Sequence, residues 1–442
     1  MLDEVNTTAT PVGNPMRRVL RLRDFRLLWI GQATSLLGDH FHFIAVSWLV
    51  LQLTNDPLAL GTVLALGGVP RALFTLIGGA ITDRFSPRAV MLASDSIRLA
   101  LTLLMAVLVL TDTMQVWMFY AFALSFGVVS GFFMPASMAI LPSITPATEL
   151  QGGNALMQGA SRLVSALGPM LAGGAIAWVA HFAAGAENAE QLGVGLALLL
   201  DVATFAVSVM TLWLIQARPA PRPQEETGVQ GVWASLRAGL RYAWQHPLLR
   251  TLLILIAAVN VLLTGPLLVG IPVLADARFP EGAAAFGLIM GAFAGGSLLG
   301  IILAGMVRST RATGVLAVLL VAIFGVGMIA MSRITVAWVG AVIMALLGLV
   351  DGFLSVRLIT YLQRRTPAAL LGRIMSLMLF ANIGLAPLSQ ALAGALSRYT
   401  LDGLFIGAGA VLLGVAGWLA TQPFVHIIDQ EMSETSVVVA IE

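Results

Sequence analysis

The sequence contains no cysteine and no lysine among its 442 residues, and only 10% of its residues are charged. Without cysteine, the chain has no disulfide bonds, no thiolate metal ligands and no cysteine nucleophile. All 24 basic residues are arginine, a bias that genomic composition can explain. A soluble domain carries about 25% charged residues. The low charge, the 58% of hydrophobic residues and a mean hydropathy of +0.93 therefore exclude a water-soluble fold.

Apolar segments of spanning length recur along the whole chain. We place them at 27–53, 58–81, 89–110, 115–141, 151–180, 193–215, 248–274, 283–307, 313–331, 335–362, 371–398 and 403–424. Each is longer than the roughly 18 apolar residues that mark a membrane-spanning helix. The sequence therefore predicts an all-α membrane protein with twelve transmembrane helices.

The arginines between these spans predict the orientation of the chain. With both termini in the cytoplasm, seventeen arginines lie in inner connections and three in outer ones. Positive residues accumulate on the cytoplasmic side of membrane proteins, so we expect both termini to be cytoplasmic. The sequence pI near 9.5 then reflects loops that face an anionic leaflet, and no nucleic-acid partner is expected. The first 26 residues lack the pattern of a cleaved signal.

A polar stretch at 216–247 divides the chain into two halves. It begins with several prolines and continues as an amphipathic pattern, with Trp233, Leu236 and Leu240 on one side. This pattern predicts a helix that lies on the cytoplasmic leaflet. We therefore expect a cytoplasmic N-terminal segment at 1–26, a six-helix bundle at 27–215, this linker at 216–247, a second six-helix bundle at 248–424 and a cytoplasmic tail at 425–442.

The two halves are copies of one unit. With a shift of 221 residues, Gly131-Phe132 aligns with Gly352-Phe353, and Thr145-Pro146-Ala147 aligns with Thr366-Pro367-Ala368. Six helices separate the copies, and six is an even number, so both copies enter the membrane in the same direction. The sequence thus predicts a parallel repeat related by an axis along the membrane normal.

The connection between the second and third spans carries a motif that names a family. Residues 78–88 read GGAITDRFSPR, and this segment resembles the signature of the major facilitator superfamily. The resemblance implies a cytoplasmic gate motif that holds the two halves together when the transporter faces outward. It would consist of Gly79, Asp83, Arg84 and Arg88. Pro87 departs from the family pattern, which has a second basic residue there.

A second resemblance lies in the fifth span. Gly168-Pro169 and Gly173-Gly174 are similar to a pattern that exporters of this superfamily carry, with one extra residue between the two pairs. Proline bends a helix, and glycine allows a neighbouring helix to approach closely. A role in packing alone, without information on transport direction, remains open.

The start of the chain resembles a subgroup that includes macrolide-efflux pumps and enterobactin-type siderophore exporters. The matching segments are Arg23-Asp24-Phe25-Arg26, Leu37-Gly38-Asp39 and Trp48-Leu49-Val50-Leu51. The resemblance implies a multi-pass protein of the bacterial cytoplasmic membrane that needs no cofactor. The sequence departs from many proton-coupled members of the superfamily. Residues 115–141 contain no charge, so the usual coupling arginine of the fourth span is absent.

Charged residues inside spans are candidates for function, because burying them in a bilayer is costly. Asp39 lies near the middle of the first span, and His42 follows one helical turn later on the same side. A carboxylate beside an imidazole can hold and release a proton near neutral pH. We expect this pair to couple protons to transport. The alternative is that Asp39 is a fixed hydrogen-bond anchor.

Further polar residues complete the predicted cavity. Arg71 and Arg162 stay charged and require a partner, which is a buried carboxylate such as Asp39, helix carbonyls or an anionic group on the substrate. Asp95 and Arg98, spaced i,i+3, form a predicted supporting pair next to the loop around Asp83. The remaining cavity candidates are Asp351, Asn260 and Asn382.

These features favour a secondary transporter, in which two halves rock about a central cavity. The leading prediction is a proton-coupled exporter of amphipathic or hydrophobic compounds that works as a monomer. The alternatives are a transporter of lysophospholipid-like lipids or siderophores and, less favoured, a non-transporting membrane receptor. No nucleotide-binding loop, metal-ligand spacing or nucleophile–base pattern is visible, so an enzyme is not expected.

Overall fold

The computed structural model describes most of the membrane-spanning chain. It covers residues 15–183, 188–216, 247–307, 313–365 and 384–422, with residues 241, 244 and 245. The predicted amphipathic helix of the linker lies almost entirely outside these residues, as do the predicted C-terminal tail and residues 1–14. Within the described ranges all regular structure is helical.

Six long helices form the first half. A short helix at Pro15–Val19 precedes them, and its Arg18 pairs with Glu149 at 3.1 Å in the connection before the fifth long helix. The six helices are α1 (Arg23–Thr54), α2 (Pro57–Arg84), α3 (Pro87–Leu110), α4 (Val116–Ile144), α5 (Leu150–Phe182) and α6 (Ala189–Leu214).

Six further helices form the second half. The first, α7, comprises Pro247–Gly265, a π-helical turn at Pro266–Gly270 and the outer segment Ile271–Arg278. It is followed by α8 (Ala283–Met306), α9 (Thr313–Met331), α10 (Ala337–Arg365), α11 (Ala386–Tyr399) and α12 (Leu401–Ala420).

Eleven helices in the described part of the chain are long and apolar enough to cross a membrane. This confirms the predicted all-α membrane fold. The described part of α11 has 14 residues, and the predicted span at 371–398 begins outside the described residues.

The turn between α1 and α2 shows how local sequence ends one helix and starts the next. Asn55 ends α1 with a positive φ of 47°, a conformation that asparagine tolerates better than most residues, and its N–H bonds to the Leu51 carbonyl. The Asp56 carboxylate then accepts from the N–H of Leu58 in the first turn of α2. We call this end of the bundle the outer end and the opposite end, near residues 84–87, the inner end.

The same packing occurs in both halves. In each half the second helix packs along the fourth, and the first and third helices pack along the sixth. Gly127 and Gly131 of α4 lie against the backbone of α2, and their repeat equivalents Gly348 and Gly352 of α10 lie against the backbone of α8. The internal repeat read from the sequence is therefore present in the helix packing.

The halves meet along two helix crossings. α2 crosses α11, where Gly61 approaches Gly394, and α5 crosses α8, where Gly173 approaches Gly287. Both close approaches lie toward the outer end. Small residues at such crossings let the helix backbones come together.

Two polar contacts join the halves at the outer end. The Gln52 side chain donates to Asp276 at 2.9 Å, and the Arg398 guanidinium lies 3.8 Å from the Asp56 carboxylate. The structure thus has the two halves in contact at this end.

Candidate functional site

The functional candidates of the first half gather where α1, α3 and α6 meet. Gly38 on α1 allows this meeting, because a side chain there would overlap Thr204 and the Asp201 carboxylate of α6. Asp39, Arg98 and Asp201 all lie about 20 Å from the outer ends of their helices, at a rise of about 1.5 Å per residue. They therefore lie deep within the membrane-spanning region.

His42 lies beside Asp201, not Asp39. Its Nδ1 is 3.3 Å from Asp201 Oδ2, and the Asp201 side chain is fully buried. Thr102 of α3 donates to the same carboxylate at 3.3 Å. The predicted pairing of His42 with Asp39 is therefore wrong. Spacing along one helix identified a shared side of α1 but not the closely packed α6 that supplies the nearer carboxylate.

Arg98 lies between two carboxylates. Its Nη1 is 3.6 Å from Asp95 on the same helix and 3.8 Å from Asp39 on α1. Ser208 of α6 donates to Asp95 at 2.6 Å, and the guanidinium lies 4.3 Å from the ring centre of Phe133. Arg98 and Asp95 thus hold α1, α3 and α6 together at mid-depth. The predicted support of the loop around Asp83 stays a prediction, because the Asp83 side chain lies outside the described residues.

Asp39 is the accessible member of this group. Its side chain is 48% exposed although it points toward Arg98, which is 4% exposed. Asp39 therefore reaches the buried Arg98 from outside the packed interior of the half.

Arg71 of α2 lies near the exposed Asp39 side chain. Around the α2 helix, Arg71 lies between Gly67, which packs on α4, and Gly68, which packs on α11. The exposed Leu73 lies on the opposite side of the helix. Asp39 attracts its guanidinium electrostatically. The two arginines and three aspartates form one group with His42, which we call the α1–α3–α6 charge cluster: Asp39, His42, Arg71, Asp95, Arg98 and Asp201.

Arg162 and Asp351 form a second charged place, between the halves. Arg162 lies on α5 one turn inward of Ala166, which approaches Gly295 of α8. Ser297 of α8 donates to the Asp351 carboxylate of α10 at 3.4 Å. Arg162 attracts this carboxylate electrostatically, but no ion-pair contact joins the two described side chains.

The helix 5 motif divides into residues with different surroundings. Gly168 packs against the His40 ring, and Gly173 packs against Ala283 and Gly287 of α8. Gly287 in turn lies against the Pro169 carbonyl, whereas nothing lies within 4 Å of a Cβ added at Gly174. His40 is thus a packing partner of α5.

Two further predicted residues, Arg88 and Asn260, bond to backbone carbonyls. Arg88 donates to the carbonyls of Leu212 and Trp213 at 2.7 and 2.6 Å, where α6 ends. Asn260 donates to the Ile256 carbonyl of its own helix at 2.9 Å. The described part of the structure does not include Asn382, the surroundings of Gly79 or the side chains of Asp83 and Arg84.

Sequence reasoning missed the hydroxyl partners of the buried charges. Thr102, Ser208 and Ser297 each donate to a carboxylate on another helix. Depth in the membrane was the signal that could have found them. A hydroxyl on a predicted neighbouring helix is a candidate partner when it lies at the same depth as a buried carboxylate. Among the described residues, no group of three His, Cys, Asp or Glu side chains is placed to hold a metal ion.

Comparisons with known proteins agree on the family. The model of the Major Facilitator Superfamily matches residues 28–389. The enterobactin exporter EntS of Shigella flexneri is 26% identical over 411 residues, which cover 88% of this chain and 90% of that protein. The multidrug efflux pump Tap of Mycolicibacterium fortuitum is 26% identical over 385 residues, covering 84% and 88%.

Solved structures share the fold at lower identity. The nucleoside transporter NupG superposes with a TM-score of 0.66 and 13% identity, covering 93% of this chain and 99% of that one. A family match over most of the chain, eleven candidate spans and relatives that move small compounds identify a multi-pass membrane transporter. The chain belongs to the major facilitator superfamily.

Proposed function

We propose that this transporter exports small amphipathic compounds in exchange for protons, as a monomer with both termini in the cytoplasm. The relatives EntS and Tap are named as an exporter and an efflux pump. The arginine distribution supports the orientation. The observation that carries proton coupling is the composition of the α1–α3–α6 charge cluster.

The cluster carries one more negative charge than its two arginines balance. Asp39, Asp95 and Asp201 supply three carboxylates, and Arg71 and Arg98 supply two cations. One proton at the His42–Asp201 pair balances the cluster. Uncompensated charge in the membrane interior is costly, and histidine changes its charge near neutral pH. Loading and loss of this proton therefore change the electrostatic free energy of the three packed helices.

The helix crossings support a rocking motion. The structure has the halves in contact at the outer end through α2–α11 and α5–α8. Rotation of one half against the other about these crossings would open the outer end and close the inner end. All members of the charge cluster belong to the first half, so protonation changes the electrostatic free energy of that half as a unit.

The test is dye transport into proteoliposomes with an acidic lumen. Ethidium, rhodamine B and an anilinonaphthalene sulfonate represent cationic, zwitterionic and anionic amphipathic compounds. We expect accumulation of at least one dye above protein-free liposomes, and loss of that accumulation when nigericin collapses the pH gradient. Dye accumulation by the wild-type protein that persists with nigericin would overturn the coupling.

Two neutral polar substitutions locate the proton, Asp201→Asn and His42→Gln. Each removes the proton-binding group on one side of the pair, so we expect each to abolish gradient-driven accumulation. Ser96→Ala is the matched control, because Ser96 lies on α3 and bonds only to the Leu92 carbonyl of its own helix. Normal coupling in Asp201→Asn would show that the proton binds elsewhere.

A further inference from the structure

We propose that the cargo carries a positive and a negative group, and that it binds with its anion at Arg162 and its cation at Asp351. The proposal rests on the proposed function and names the class of substrate, a zwitterionic compound with an apolar body. The two side chains belong to different halves of the protein, Arg162 to α5 and Asp351 to α10.

The helix faces direct Arg162 toward the cavity. On α5, Ala166 approaches Gly295 of α8, while Leu163 and Leu167 are exposed on another side of the helix. Arg162 lies one turn from Ala166 along the α8-facing side, and nothing lies within 4 Å of a Cβ added at Gly159, a turn further inward. Its guanidinium therefore lies where α5 and α8 diverge toward the inner end.

Asp351 lies at a matching level on the other half. Gly348 and Gly352 press α10 against Phe293 and Ser297 of α8, and the Ser297 hydroxyl donates to the Asp351 carboxylate. Ser297 is two residues beyond Gly295, the residue that Ala166 approaches. Arg162 and Asp351 therefore lie at about the same depth, on helices of different halves that both pack on α8.

The two charges attract each other without forming a contact. Neither Arg162 nor Asp351 has an ion-pair contact in the described structure, yet both lie at membrane depth. Asp351 is partly buried and accepts from the Ser297 hydroxyl, and Arg162 is exposed, so both side chains can take a charged partner from the cargo. A molecule with an acid and an amine would satisfy both side chains at once, whereas a singly charged molecule would satisfy only one.

This arrangement links binding to movement. The cargo would be held by one residue from each half, so its binding favours the conformation in which the halves approach at the inner end. The cargo is neutral overall, so its binding adds no net charge to the protein. The net charge of the α1–α3–α6 charge cluster then depends on the proton alone.

A ligand series on one apolar body tests the proposal. It consists of 3-(2-naphthyl)alanine, its methyl ester, its N-acetyl derivative and the N-acetyl methyl ester, which are zwitterionic, cationic, anionic and neutral. Each is titrated while thermal unfolding of the purified protein is followed in maltoside detergent, because a ligand that binds the folded state stabilises it by RT ln(1 + [L]/Kd) and so raises the unfolding temperature. We expect the zwitterion to bind at least tenfold more tightly than the three blocked forms.

The variants assign each charge to one half. In Arg162→Gln the free carboxylate should no longer improve binding, whereas the free amine still should. In Asp351→Asn the free amine should lose its effect and the carboxylate should keep it. Arg357→Gln is the matched control, because Arg357 lies on α10 but donates to the Val307 carbonyl at the end of α8.

A second ligand pair identifies the source of the zwitterion. If lysophosphatidylcholine binds more tightly than lysophosphatidylglycerol and also more tightly than naphthylalanine, the cargo is a lipid with a zwitterionic headgroup. If naphthylalanine binds more tightly than lysophosphatidylcholine, the cargo is a free zwitterionic compound. Equal affinity for zwitterionic and blocked forms in both series overturns the proposal. No proton gradient is used, so this failure is distinct from a failure of proton coupling.

Discussion

Gly173 and Gly174 offer a paired test of the rocking motion, because they are adjacent residues with different surroundings. An alanine methyl carbon at Gly173 would overlap the Ala283 carbonyl oxygen and lie 3.0 Å from Cα of Gly287. The same methyl at Gly174 would have nothing within 4 Å. Gly173→Ala therefore disturbs the α5–α8 crossing, and Gly174→Ala controls for the added methyl group itself.

The expected magnitude follows from the overlap. Carbon and oxygen atoms of this kind stay about 3.3 Å apart, so α5 and α8 must separate by about 1 Å at the crossing. Overpacking of this size costs about 1–3 kcal/mol. The cost applies to the conformation that is closed at the outer end, so the equilibrium should shift toward opening by roughly 5- to 150-fold.

Pulsed electron resonance between two spin labels measures this shift. The chain has no cysteine, so Leu53→Cys and Tyr399→Cys introduce the only two labelling sites. Both positions are exposed at the outer end, one on α1 and one on α11. We expect a longer-distance population to grow in Gly173→Ala and to remain at the starting level in Gly174→Ala. Identical distance distributions in the two variants would refute the reasoning.

Two smaller effects provide a scale for comparison. Gln52→Ala removes the hydrogen bond to Asp276 at the outer end, and an exposed contact of this kind contributes less than about 1 kcal/mol. Its shift in the same distance measurement should therefore be smaller than that of Gly173→Ala, and an equal or larger shift would contradict this ranking. Arg88→Gln removes the donors to Leu212 and Trp213 and should lower stability by about 1–2 kcal/mol in thermal unfolding. An unchanged unfolding temperature would show that these bonds contribute nothing.

The membrane fold could be read from the sequence because the bilayer imposes strong and simple constraints. A spanning helix needs a long apolar segment, and α3 and α8 show such segments plainly. The repeat was also visible, since Gly131 and Gly352 occupy equivalent packing positions. The count of twelve helices and the boundaries of the halves remain predictions.

The candidate site was only partly predictable. Depth along a helix identified Asp39, Arg98 and Arg71, because unpaired charge is rare in apolar segments. Partners were not predictable, because they depend on which helices come closest. Gly38 lets α6 approach α1 and so brings Asp201 to His42. The sequence does not show which helix a single glycine in an apolar segment will contact.

The interruption of α7 gives the duplicated halves unequal stiffness. α1 runs unbroken over 32 residues, whereas its counterpart changes to π-helical bonding at Pro266–Gly270 before its last segment. Widened turns and prolines are the places where long helices bend. A force that separates the halves at the outer end will therefore bend α7 before α1. Substitutions that make this turn regular should change how fast the outer end opens while leaving every charged residue in place.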